Sequence, residues 1–144
     1  MSVSWEPYVR PTPKGVTPDA LRQLELQWRV TLPQAYKNLV SKHQGMTPIP
    51  STFNIGRVQN TFSVLLTVTR DERWDEYSVS STHESLSRYV PAGIYPFGLT
   101  PGGESLCFDY RQVSAQPRVV LVTVEGEIHS IAENFEDFLA GLHG

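Results

Sequence analysis

The spacing of apolar residues changes several times along this chain, and each change marks an element. Thr17-Pro18-Asp19 opens the first periodic stretch. It supplies a hydroxyl for an N-cap, a proline at the first helical position and an acid in the positive first turn. Leu21, Leu24 and Trp28 then recur at i, i+3 and i+7, one apolar stripe along a helix. Val30-Thr31-Leu32-Pro33 breaks it. Pro33 begins a second helix with Tyr36, Leu39 and Val40 facing inward, and Gly45 stands as its C′ residue.

Residues 46–52, MTPIPST, read as a loop. Beyond them, FNIGRV and TFSVLLTVT are rich in β-branched and aromatic side chains and read as strands. RDERWDEYS is charged and reads as exposed. STHESLSRYV has helical character, with Leu86, Tyr89 and Val90 on one side, until Pro91 stops it. In 104–111, ESLCFDYR, Leu106, Phe108 and Tyr110 alternate with Cys107, Asp109 and Arg111, the period of a half-buried strand. RVVLVTV and EIHSIA flank Glu125-Gly126 and form a hairpin. The last stripe, Phe135, Phe138, Leu139 and Leu142, follows Asn134 as N-cap, with Asp137 three residues on as in a capping box.

Helices, strands, a short helix, more strands and a final helix in that order predict an α+β fold. Strands segregated from helices, with a hairpin between them, favour this over a wound parallel sheet. Residues 1–16, with three prolines and no periodicity, read as an extended N-terminal arm, and 17–144 as a single domain.

Composition narrows the function more than it specifies it. A net charge of −3 and a pI near 5.8 leave no basic footprint for nucleic acid and no polybasic anchor for a membrane surface. One cysteine forms no internal disulfide, and no apolar run has the length of a signal peptide or membrane span. The expected location is the cytoplasm.

Gly93–Arg111, GIYPFGLTPGGESLCFDYR, has the look of an active site, but its residues fit none of the relevant motifs. No lysine follows the glycines as a phosphate loop requires. Cys107 stands where the nucleophile elbow needs its second glycine. Gly102-Gly103 precedes a strand, where a dinucleotide fingerprint would open a helix. Pro101-Gly102-Gly103 is read instead as a turn feeding the strand that follows. Cys107 sits between Leu106 and Phe108 and reads as a small buried hydrophobe; pairing with His129 across the sheet is the weaker reading. His43, His83, His129 and His143 are scattered without an i,i+4 metal pair. No catalytic residue, cofactor or metal is expected. Asp71, Glu72, Asp75 and Glu76 around Trp74 read either as a solvated loop or as a recognition surface, an exposed tryptophan among carboxylates that meets a basic partner.

Three segments in order add a family resemblance. ALRQLELQWRVTLPQAYKNLVSKHQGMTP, VPAGIYPFGLTPGGESLCFDYR and IAENFEDFLAGL together resemble the SUKH superfamily in its SMI/KNR-type branch, over about residues 17–142. The resemblance implies the SUKH fold, an antiparallel sheet with helices against it, and no catalytic residues. Bacterial members commonly serve as cytoplasmic immunity proteins that bind a cognate polymorphic toxin, often a nuclease. Other relatives are adaptors and regulators, so an intracellular adaptor with a housekeeping partner is the alternative. The family's motif positions fall here on Trp28, Leu32, Pro33, Tyr36, Gly45, Pro96, Phe97, Gly98, Gly103 and Asp109. Most read as fold determinants, with Asp109 the one polar position that would face a partner. The chain departs from the pattern twice. Gln44-Gly45 replaces a double glycine, and Val58–Tyr77 matches nothing family-specific, which is where partner choice would reside.

Overall fold

A computed structural model describes residues 3–9, 11 and 13–144. Met1, Ser2, Arg10 and Thr12, which the expected arm includes, lie outside the described residues. Helix α1, Pro18–Trp28, starts where the capping signal places it, with Thr17 Oγ1 accepting from the Ala20 N–H at 3.1 Å. It buries Leu21, Leu24 and Trp28 and ends on Arg29, at φ 58°. Helix α2, Gln34–His43, buries Tyr36 and Val40, and Gly45 follows it at φ 75°.

Strand β1 (Ser4–Pro7) pairs antiparallel with β2 (Met46–Ile49), setting Trp5 opposite Pro48. Met46–Ile49, within the segment read as a loop from its prolines, is therefore a strand. It lies in a two-stranded ribbon, where a missing N–H is tolerated because each strand has only one partner. Strands β3 (Thr52–Ile55) and β4 (Val58–Thr61) form a hairpin around Gly56.

The main sheet consists of β5 (Val64–Leu65), β6 (Ile94–Leu99), β7 (Ser105–Asp109), β8 (Arg118–Val122) and β9 (Ile128–Ala132). They are antiparallel and stand side by side in chain order. The α+β architecture expected from the sequence is the one observed. Pro101-Gly102-Gly103 turns β6 into β7, with Gly103 at φ 84° and the Thr100 hydroxyl accepting from the Glu104 N–H. The glycine-rich stretch is thus a turn entering a strand. Gly98 lies at a bulge in β6, where an added Cβ would come within 2.7 Å of the Phe62 ring.

One face of the sheet meets α1, α2 and α4 (Phe135–Ala140) around a cluster of rings. Phe97 stacks on Phe108 at 4.6 Å, and Tyr36 and Phe135 meet both edge-on. Asn134 caps α4, its Oδ1 accepting from the Asp137 N–H at 2.7 Å. The opposite face is covered as well. Leu86 of α3 (Val79–Leu86) closes over Ile94, Cys107, Val120 and Val122. The alternation in β7 therefore does not separate core from water: Cys107 is as fully buried as Phe108. Helix α3 ends at Leu86, and Tyr89, expected on its inner side, is half exposed. No helix among the described residues is long and apolar enough to cross a membrane.

Candidate partner-binding surface

The charged segment before α3 is a 3-10 helix, Glu72–Tyr77, rather than a loop. Asp71 caps it. Its Oδ1 accepts from the Arg73 N–H at 3.0 Å, and both its carboxylate oxygens accept from the Arg73 guanidinium. Hydrogen bonds from the Arg73 side chain and backbone hold the Asp71 carboxyl below its usual range. A charged cap at a helix start is a structural arrangement, so Asp71 is committed to the turn.

The sequence reading of Trp74 as exposed is corrected by the structure, in which only 1 % of it is accessible. The indole turns inward over Gly45, whose missing side chain leaves the space: a Cβ there would stand 3.0 Å from the Trp74 ring and 3.0 Å from Pro13. Tyr77 meets the same indole at 5.8 Å. Burial of a tryptophan outweighs the cost of ordering a short polar turn. The outcome is a ridge that shows Glu72, Asp75 and Glu76 to solvent from a helix pinned beneath by Trp74.

Asp109 is not part of this ridge. It ends β7, the central strand, whereas the ridge lies by β5 at the sheet's edge, where Thr67 bridges to Ser78. Its carboxylate is held by Arg111, with Nε to Oδ1 at 3.0 Å and Nη2 to Oδ2 at 2.8 Å, and only 14 % of the side chain is accessible. Burial pushes this carboxyl up, but the bonds from Arg111 and the charge of Arg118 together hold it below the usual range.

Cys107 and His129 are not brought together. Cys107 faces Val120 in the sheet, whereas His129 pairs with Leu121 on β9. Complete burial, with the Asp109 charge nearby, pushes the thiol well above its ordinary value. A protonated, enclosed thiol is no nucleophile. No three His, Cys, Asp or Glu side chains among the described residues converge as metal ligands.

Sequence reading missed a second surface, where the α1–α2 corner forms two adjoining hollows of about 280 and 550 Å³. Arg22, Glu25 and Lys37 line both. Glu25 forms the floor, its Oε2 accepting from the Leu32 N–H at 2.7 Å and the Lys37 ammonium at 3.3 Å. The signal was present in Leu26, an apolar residue out of phase with the buried stripe, which is 71 % exposed.

A meander sheet with helices on both faces defines a small α+β domain. Residues 15–141 match the SMI1 / KNR4 family (SUKH-1), and the chain belongs to that family. No curated protein matches the chain. Several of the motif positions named from sequence serve the fold: Leu32, Tyr36 and Phe97 are core, and Gly45 and Gly98 make room for rings. Gln44, where the sequence departs from the double glycine, is itself 1 % exposed and fully hydrogen-bonded.

Proposed function

We propose that this protein is a non-enzymatic immunity protein that binds a cognate toxin in the cytoplasm and blocks it by occlusion. The partner surface is the acidic ridge, and the partner is a basic toxin domain such as a nuclease. The observation that carries this reading is the exposure of Glu72, Asp75 and Glu76 on a helix anchored by Trp74. A rigid mount lets charged groups meet a partner without paying for their ordering, and complementary charge raises the association rate. Membership of the SMI1 / KNR4 family supports a binding role.

The test is to tag the chain in its native host, purify it gently and identify any stoichiometric partner by mass spectrometry. A basic toxin domain is expected, with association slowed about tenfold or more by Glu72→Lys with Asp75→Lys and by added salt. Recovery of housekeeping proteins alone would put the adaptor reading first. A toxin bound equally well by the reversed-charge variant would remove the ridge from the interface.

A further inference from the structure

The α1–α2 corner has properties that neither the core nor the acidic ridge accounts for. Leu26 projects from α1 with 71 % of its surface in water, although Leu21, Leu24 and Trp28 already supply the helix's buried stripe. Val30 continues the apolar surface beyond the helix end. Three cations, Arg22, Arg29 and Lys37, line the same hollow against one carboxylate, Glu25. Glu25 is turned to the Leu32 N–H and Lys37, so its charge is answered within the floor. Arg22 lies 3.2 Å from Asp19, but both side chains are about 70 % exposed, so solvent screens the pair and leaves it free to exchange partners.

Arg29 is the second observation. It closes α1 at φ 58°, a left-handed conformation in which glycine is the unstrained choice. A cationic side chain held in a costly backbone conformation beside an open groove is the pattern of strain kept for a binding role.

The corner is also rigid before anything binds. The Tyr95 hydroxyl donates to the Trp28 carbonyl at 3.1 Å and the Tyr110 hydroxyl to the Thr31 carbonyl at 2.6 Å, tying both ends of the turn to the sheet. The Thr31 N–H reaches the Ser114 carbonyl at 3.4 Å.

We propose that the α1–α2 corner is a docking groove for an acidic peptide segment of a partner protein, with Leu26 and Val30 receiving an apolar anchor and Arg22 and Arg29 receiving the flanking carboxylates. Charge decides the occupant. A chain of net charge −3 presents a locally cationic groove here, so the complementary segment is acidic, opposite in chemistry to the partner of the ridge. The proposal is independent of the toxin reading and survives its failure.

The test selects a phage-displayed library of random peptides of about twelve residues against the full chain, then measures the enriched peptides in solution. Acidic peptides carrying an aliphatic or aromatic anchor are expected. Leu26→Asp and Arg29→Glu should each weaken their binding about tenfold or more, while Val58→Ser, another exposed aliphatic position, leaves it unchanged. Arg29→Gly is the decisive variant. It relieves the left-handed strain and should melt no lower than the parent, yet still bind more weakly. Absence of enriched acidic peptides, or binding indifferent to Leu26 and Arg29, would overturn the proposal. So would Leu26-dependent self-association on sedimentation, which would make a second copy the occupant.

Discussion

Gln44 and Thr69 are joined twice: the Thr69 N–H donates to Gln44 Oε1 at 3.1 Å, and Gln44 Nε2 donates to the Thr69 hydroxyl at 2.9 Å. The same amide accepts from the Val68 N–H at 2.9 Å and donates to the Lys14 carbonyl. One buried side chain thus satisfies backbone groups from two other segments and ties the residues before α1 to the loop leading into the ridge. A glycine here would leave those groups without partners.

Gln44→Leu, which keeps the volume and removes every hydrogen bond, should therefore destabilise the protein by about 2–4 kcal/mol in chemical denaturation. Thr69→Val should cost about 1 kcal/mol, and the double variant less than the sum, because the two share a bond. Additive losses would show that Gln44 and Thr69 act independently.

Trp74 and the carboxylates around it should separate cleanly in experiment. Trp74→Ala should lower stability by about 3–5 kcal/mol through the cavity it opens above Gly45. Glu72→Lys and Asp75→Lys should change melting little, because surface charges contribute little to stability. A Trp74→Ala variant as stable as the parent would mean that the indole does not hold the ridge.

The helices were legible because their apolar stripes and caps agree with what tertiary packing selects: Thr17, Asn134 and Gly45 do in the structure what their chemistry suggested. Trp74 was not legible. Four acids within a few residues of a tryptophan look like surface, and only the gap left by Gly45, distant in sequence, shows where the indole goes. Strand β2 was hidden by Pro48 within it and Pro50 just after it; a two-stranded ribbon tolerates the first. Cys107 was read as buried from its neighbours, but the period-2 pattern could not report that α3 covers its face too. The groove at the α1–α2 corner arises from two helices and a distant loop, so no local pattern described it.

Two histidines should make stability depend on pH. Burial, with Lys42 nearby, pushes His43 below its ordinary value of 6.5, and burial does the same to His83, packed against the Trp28 and Tyr95 rings. The unfolded chain then binds protons more readily than the folded one. Their contribution is fully present above pH 6.5 and is lost as pH falls through the lowered folded values. Melting temperature should fall on acidification below neutrality. His43→Phe with His83→Phe should flatten that slope, and an unchanged slope would assign it to other groups.

The Cys107 thiol should report global unfolding. Enclosed at 0 % exposure and held protonated, it should resist a thiol reagent in the native protein and react fully in denaturant. The labelling rate should follow the equilibrium population of the unfolded state when opening and closing are fast. Rapid labelling of the native protein near neutral pH would contradict the burial.

The chain-order arrangement of the main sheet also bears on how this protein reaches its native state. From β6 to β9 every pairing joins neighbours in sequence, so each contact closes only a short loop and costs little chain entropy. Residues 94–132 can therefore assemble as a local nucleus. The N-terminal helices are expected to join later, because contacts such as Tyr95 to Trp28 and Tyr110 to Thr31 span long sequence separations. Alterations within the meander should slow folding, whereas those in the α1–α2 corner should chiefly hasten unfolding. On this reading the sheet forms first, and the two proposed surfaces are laid onto it last.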